Sequence, residues 1–553
     1  MFHGQGQSHG TIGRGDDTAV APGLLDVMLT GFHHGVLTAV KVPVPGNGTE
    51  IGGGEQSCGH TCTAKRLFTG AKVGLFRVFL YVCENHKQTT MFNKEIYQQR
   101  RHRLCDQLST GIVLLPGHTE SPMNYPENTY LFRQNSHFLY FSGLDMPGLF
   151  VIIDVDSRET ILFADELTID DIIWMGPKPS FKEIAATVGI EKVLPVAQLA
   201  PYVEKALCQQ RTVHYLPLYR AETALQLGAL LNRHPATLSE GVSEAFIKAV
   251  VAQRSVKSPE EIAEIDKASE VGYLMQEYVM ANMHPGKTER ELAGMAEGLA
   301  LSKAAGISFP IILSQRGEVL HGHDHSLVLK KGSLVICDCG AESLEHYACD
   351  YTRTTPVGGR FTPLQRDLYN LVLAANNKAF DLIKPGVFYK DVHQACSLVL
   401  AEGLKGLGLL KGDMNDAVAA GAHSLFMPHG LGHMMGLDVH DMEDLGENYV
   451  GYDETISRSS QFGLRSLRLG RRLQEGFVLT VEPGLYFMPA LIEKWKAEKI
   501  NADFVCYDKA LALVGTGGIR IEDDAIVTAD GCRMSGSKRP PVTVAEIEAY
   551  FKD

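Results

Sequence analysis

Apolar and polar positions recur with two different periods along this chain. A 3.6-residue rhythm over Phe92–Leu108 predicts an amphipathic helix. From Gly111 onward short apolar runs take over, and Ile112–Leu115, Phe138–Phe141, Leu149–Asp154 and Thr160–Phe163 read as strands. Pro116-Gly117, Ser142-Gly143 and Pro147-Gly148 punctuate them as turns. Helical patterns at Ser180–Val188 and Pro201–Cys208 then lead to a strand-like Thr212–Leu216. This alternation predicts a mixed α/β domain over residues 91–250.

A second rhythm begins at Lys257-Ser258-Pro259-Glu260-Glu261. Ser258 is an N-cap, Pro259 stands at the first helical position, and Glu261 completes a capping box. A long helix should run from there to about Met283, and Thr288 with Glu291 caps another after His284-Pro285-Gly286. The design recurs about a hundred residues later: a helix over Pro363–Ile383, the joint Lys384-Pro385-Gly386, and a helix from about Tyr389 to Leu404. Two helix–Pro-Gly–helix units that each lead toward strands predict a duplicated second domain over 255–553.

Charge interrupts the apolar pattern of that domain at a few places. Ser333–Cys339 reads as a strand carrying Asp338, and the segment from His346 to Thr355 carries Asp350. A hairpin turning near Leu344 would set the two aspartates directly opposite each other, where Cβ atoms lie about 4.5–5.5 Å apart. Two like charges at that spacing are destabilising unless a cation lies between them. Cys337 and Cys339 alternate to the other face and are expected in the core rather than on a metal. Further on, the apolar strand Phe477–Val481 ends in Glu482, and Gly517–Asp524 places Arg520 and Glu522 on one face. A carboxylate in so apolar a run needs a partner.

Between these acids lies Pro428-His429-Gly430-Leu431-Gly432-His433, followed by Leu437-Asp438-Val439-His440-Asp441. Gly430 and Gly432 make a zinc-binding helix a poor reading, so an irregular strand or loop presenting imidazoles is expected. Two Asp, two Glu and one His form an oxygen-rich donor set, which suits two ions of the Mn, Co or Zn type better than a thiolate site.

Composition narrows the setting. The chain has 553 residues, 45% hydrophobic and 21% charged, enough for two or three ordinary globular domains. Its net charge of −13 argues against a nucleic-acid surface and against an anionic-membrane patch. The 11 cysteines show no framework spacing, so reduced thiols and a cytoplasmic location are expected. No apolar run reaches transmembrane length. Val73–Cys83 is short, carries Arg77 and lies too far from Met1 for a simple signal peptide. Residues 1–90 are rich in Gly, Thr and His without periodicity and are expected to be disordered. Cys58, His60 and Cys62 lack a second ligand pair and are read as non-functional. Met91, which directly precedes the first helix, is a candidate natural start.

The order Asp338, Asp350, His433, Glu482, Glu522, in the contexts Asp-Cys-Gly, Asp-Tyr-Thr-Arg-Thr, His-Gly-Leu-Gly-His, Val-Glu-Pro-Gly and Ile-Arg-Ile-Glu-Asp, resembles the pita-bread metallopeptidases. Among them it is similar to the Xaa-Pro aminopeptidases (aminopeptidase P) and Xaa-Pro dipeptidases (prolidases), over roughly residues 92–553. Phe132-Arg133-Gln134-Asn135-Ser136-His137 and the aromatic run after it look like that group's N-terminal domain. The implied architecture is α/β (α+β), a C-terminal pita-bread domain behind a smaller mixed α/β domain.

The resemblance implies two divalent metal ions, expected to be Mn²⁺. Asp338 and His433 would each hold one ion, Asp350 and Glu522 would bridge both, and Glu482 would be both ligand and proton shuttle. His321 and His440 match positions that contact substrate or oxyanion, His429 a supporting or substrate-side position, and Arg520 a holder of a bridging carboxylate. His323 and His325 are expected to be solvated loop residues. Arg468, in the four-arginine segment Leu464–Gln474, aligns with a residue that holds the free carboxylate of a dipeptide. The implied reaction is metal-dependent hydrolysis before a proline in second position, by an aminopeptidase on longer peptides or by a dipeptidase on dipeptides. A homodimer or higher homo-oligomer is expected. A catalytically dead binding module would lack ligands, and all five are present. A methionine aminopeptidase would lack the extra N-terminal domain and the Arg520 context.

Overall fold

The computed structural model describes residues 92–551. The expectations for Cys58, His60, Cys62, Val73–Cys83, Met91 and the disorder of 1–90 lie outside them.

Helix α1 (Lys94–Gln107) buries Tyr97, Arg100, Arg101, Leu104 and Cys105, the stripe its period demands. Strands β1 (Ile112–Pro116), β2 (Phe150–Asp154), β3 (Thr160–Phe163), β4 (Lys192–Leu194) and β5 (Val213–His214) form one sheet in the order β4-β3-β2-β1-β5. Its centre is antiparallel and its two edge pairings are parallel.

The aromatic run Phe138–Phe141 is not the expected strand. It belongs to helix α2 (Ser136–Ser142), whose seven residues are all buried, so no polar face reveals its period. Asn135 caps it, accepting from Phe138 N at 3.0 Å, and Gly143 ends it at φ 70°. Arg100 and Arg101 donate to the last-turn carbonyls of Tyr140 and Phe141 at 3.0 and 2.9 Å, satisfying acceptors a helix end leaves open.

In the second domain, α3 (Pro259–Ala281) pairs with α4 (Glu289–Lys303), and α5 (Pro363–Leu382) pairs with α6 (Tyr389–Gly406). Both joints turn through a left-handed glycine, Gly286 at φ 92° and Gly386 at φ 86°, which is the structural content of the repeat. The Ser258–Glu261 and Thr288–Glu291 capping boxes both form.

These helices cover a set of short antiparallel sheets. One has the order β8-β7-β6, from β6 (Ile312–Ser314), β7 (Leu334–Cys339) and β8 (Tyr351–Pro356). Another joins β9 (Val478–Val481), β12 (Asp523–Val527) and β13 (Cys532–Met534), and a third pairs β10 (Gly484–Tyr486) with β11 (Gly518–Arg520). Isolated bridges Thr352↔Glu522 and Met434↔Leu479 connect them into one curved surface. On the far face of β7, Val335, Cys337 and Cys339 pack with Met275, Val279, Leu292 and Ala296 of α3 and α4. The two cysteines are core residues, as alternation requires.

The hairpin register differs from expectation by two residues. Asp338 faces Thr352, and Asp350 lies one residue before β8. The turn runs Ser343–Tyr347, closed by Ser343 N donating to Tyr347 O at 2.8 Å, with His346 left-handed at φ 64°. A shift of two preserves the face, so both aspartates still point the same way. Among the described residues no helix is long and apolar enough to cross a membrane.

Candidate metal centre

The His433 segment runs as an extra irregular strand beside β9. Thr480 N donates to His433 O at 3.0 Å, Glu482 N to Leu431 O at 2.8 Å, and Met435 N to Val478 O at 2.9 Å. Gly432 permits this approach, because a Cβ there would stand 2.0 Å from the Thr480 carbonyl oxygen. His433 and Glu482 are thereby carried to the carboxylates on β7, β8 and β12.

A cavity of about 490 Å³ opens over this junction. Its wall contains Asp338, Asp350, His433, Glu482 and Glu522. It also contains His321, His429, His440, Arg468 and Arg520, so all ten sequence-derived site residues converge there. His323 lines it as well, exposed at the rim with Nδ1 3.4 Å from Ile311 O, while His325 hydrogen-bonds the same carbonyl outside the wall. Both lie in an irregular segment, His323 exposed and His325 half-buried.

The donor atoms are aimed at a common point. Asp350, His433 and Glu522 each offer one atom within 4.8 Å of the others, and all three are buried. His433 Nδ1 lies 3.0 Å from Met434 O, so that nitrogen carries the proton. Nε2 is left as a lone pair 3.7 Å from Asp350 Oδ2 and 4.0 Å from Glu482 Oε1. Asp338 Oδ1 and Asp350 Oδ1 are buried without any hydrogen-bond partner. Arg520 Nη2 meets Asp338 Oδ2 at 2.5 Å, and its Nε is 3.9 Å from Glu522 Oε2. This guanidinium meets two of the four carboxylates in the wall.

The electrostatics reflect that imbalance. Burial, then Glu522 and Asp338, push Asp350 well above the usual carboxylate range. Burial, then Glu482 and Asp338, do the same to Glu522. Burial raises Glu482 to about 7. Burial also holds His433 well below the ordinary imidazole value and His429 down at about 4. Orphaned buried oxygens, mutually repelling carboxylates and a neutral imidazole lone pair are what a divalent-cation site offers. The residues fit the group that the sequence implies.

Several supporting residues escaped the sequence reading. Thr352 Oγ1 donates to Glu522 Oε2 at 2.7 Å and accepts from Arg520 Nε at 3.1 Å. It lies two residues past Asp350, so strand alternation alone would have found it. Asp524 Oδ2 accepts from Asp350 N at 2.9 Å. Tyr486 hydroxyl receives Arg520 Nη1 at 3.1 Å and stands 3.0 Å from His429 Nε2. His429 Nδ1 is 2.8 Å from Gly430 O, so both its ring nitrogens are engaged inside the protein, one of them by the Tyr486 hydroxyl that Arg520 also meets. Glu443, three residues past His440, lies 3.1 Å from His440 Nδ1 and pairs with Arg468.

The N-terminal domain reaches this segment. Arg133 Nη2 donates to Leu437 O at 2.7 Å, Ser136 Oγ to Asp438 Oδ1 at 2.6 Å, and His137 Nε2 is 3.0 Å from Asp444 Oδ2.

Comparison with known proteins agrees with this geometry. The profile of Metallopeptidase family M24 matches residues 263–529, and that of Aminopeptidase P, N-terminal domain, matches 97–215. The chain is 31% identical to the Xaa-Pro dipeptidase of Homo sapiens over 478 residues, 82% of this chain and 92% of that protein. It is 32% identical to a probable Xaa-Pro aminopeptidase of Botryotinia fuckeliana over 410 residues, 72% of this chain and 83% of that one. The solved structure of proline aminopeptidase P II from Yersinia pestis is similar, with a TM-score of 0.68 and 30% identity, covering 83% of this chain and 99% of that one.

Proposed function

The chain belongs to metallopeptidase family M24, and we propose that within it the protein is a Xaa-Pro aminopeptidase. It would release the first residue of peptides that carry proline second. One observation supports the aminopeptidase form above all. The metal cavity shares Val439 and His440 with an adjoining cavity of about 360 Å³. Together they offer more room than a dipeptide fills, so residues beyond the proline have a place to lie.

Asp338, Asp350, His433, Glu482 and Glu522 would hold two divalent cations, with Mn²⁺ the expected metal. Such a pair supplies a shared water of lowered pKa and stabilises developing oxyanion charge. The chain's own groups do the rest. Glu482, in the cavity wall beside His433, is placed to accept a proton from water and pass it to the proline nitrogen. That nitrogen belongs to a tertiary amide with no N–H, so it must be protonated on departure. His440 has Nδ1 turned to Glu443, which leaves Nε2 for the scissile carbonyl, and His321 lines the same cavity. Thr352 and Arg520 fix Glu522 and Asp338.

A dipeptidase form rests on Arg468, whose guanidinium in the wall suits a carboxylate. Hydrolysis of Gly-Pro-Gly and of Gly-Pro, each with Mn²⁺ and with a chelator, decides between them. Metal-dependent cleavage of the tripeptide is expected. Cleavage of the dipeptide alone makes the protein a dipeptidase, and no metal-dependent cleavage of either rejects the assignment.

A further inference from the structure

Resting on the Xaa-Pro reading, we infer that Glu443 is a specificity-determining residue that rejects substrates whose carboxylate directly follows the proline. Glu443 occupies a particular joint. It lines the adjoining cavity while Arg468 lines the metal cavity, and His440 lines both. Its Oε1 pairs with Arg468 Nη1, and its Oε2 lies 3.1 Å from His440 Nδ1. One carboxylate of the chain itself thus engages both cationic-capable groups at this end of the site.

A guanidinium presented to a peptide cavity is a receptor for a terminal carboxylate. Here the receptor is already filled. A ligand ending at proline would bring a second negative group beside the first, and juxtaposed like charges disfavour binding. The Glu443 and Arg468 side chains are only 27% and 35% exposed, so water screens that repulsion incompletely. Burial alone would raise Glu443, but His440 and Arg468 outweigh it and hold the group at about 2, so it is ionised throughout the working range. The backbone is shaped to put it there. Buried Met442, the residue before it, adopts a left-handed φ of 62°, unusual for an unbranched apolar side chain. A longer peptide carries its carboxylate past the joint and presents an amide N–H and carbonyl instead, which the pair tolerates.

The test separates charge from length. Gly-Pro, Gly-Pro-amide and Gly-Pro-Gly are assayed with the full-length, Mn²⁺-loaded enzyme. The wild type is expected to prefer Gly-Pro-amide over Gly-Pro by about tenfold or more in kcat/KM. Glu443→Gln, which keeps shape and hydrogen bonding, is expected to narrow that ratio by about tenfold, and Glu443→Ala to narrow it as well. A general disturbance of His440 would slow all three substrates alike and leave the ratio unmoved. A wild type that prefers the free acid, or an amide-to-acid ratio unchanged in both variants, overturns the role of Glu443 while leaving the Xaa-Pro reading standing. Failure of the wild type to cleave any of the three overturns that reading and this role with it.

Discussion

Two buried polar clusters flank the segment from His433 to Asp441, and they are built on opposite principles. At its C-terminal end, Arg254 Nη2 meets Asp438 Oδ2 at 2.9 Å and Asp441 Oδ1 at 2.6 Å, while Lys257 Nζ meets Asp441 Oδ2 at 3.0 Å. His137 Nδ1 lies 2.7 Å from Arg254 Nη1. Asp438 and Asp441 each have a cation, and Asp438 and Asp444, both only partly buried, are held below the ordinary value beside Arg254, Arg133 and His137. At the other end, Asp350, Glu482 and Glu522 are raised, and two carboxylate oxygens have no partner. Burial is common to both clusters; compensation is not. The first is a brace whose charges are complete, and the second is a receptor that a cation completes.

Removing a charge should therefore have opposite consequences at the two ends. Asp350→Ala or Glu522→Ala should cost on the order of 10³-fold or more in kcat/KM, the equivalent of several kcal/mol of lost charge stabilisation. The same variants, stripped with a chelator, should melt no lower than the stripped wild type. An active variant would break the contrast at once. Asp441→Ala should instead destabilise the fold by about 3–5 kcal/mol, because the buried Lys257 ammonium loses its salt-bridge partner. Chemical denaturation measures this, and a loss below about 1 kcal/mol would show that the brace is not compensated as described.

A subtler difference lies in pH. Folded-state pKa values of the receptor's carboxylates are raised above their unfolded values, whereas those of His433 and His429 are lowered, so in the metal-free protein the two kinds of group oppose each other as pH falls. The carboxylate share is isolated by comparison with Glu482→Gln: relative to that variant the metal-free wild type should gain stability as pH falls from about 8 toward 5, on the order of 1–3 kcal/mol, and the metal-loaded pair should lack that gain. Melting temperature against pH for both proteins, with and without chelator, checks the sign; a metal-free wild type that weakens relative to the variant over this range would contradict it. The smallest effect is expected from Thr352→Val, which removes the hydroxyl on Glu522 and should weaken Mn²⁺ binding about tenfold by titration calorimetry. An unchanged affinity would mean that Glu522 needs no such support.

The receptor was legible in the sequence because acids are out of place in apolar strands: Asp338, Glu482 and Glu522 each interrupt a run that otherwise reads as core. The brace was not, since Arg254, Lys257 and Asp441 look like ordinary surface charges until the fold brings them together across 184–187 residues of chain. The same limit explains the other misses. Phe138–Phe141 has no polar face to betray a helix. The hairpin register depended on a left-handed His346 that no pattern of apolar residues marks. Thr352, Tyr486 and Glu443 carry hydroxyls or a carboxylate of the commonest kind, and only their partners give them meaning.

Arg520 meets Asp338 across 182 positions of the chain, with Glu522 two residues further on. On the ribosome, at about 5–20 residues per second, roughly 10–40 s separate the synthesis of the first ligand from that of the last. During that interval the emerging polypeptide exposes isolated aspartates and a histidine, none of which can retain an ion alone. Metal capture by the proposed ligands would therefore be a late event of biosynthesis, and a truncated product that stops before Arg520 would lack Glu522 and the guanidinium on Asp338.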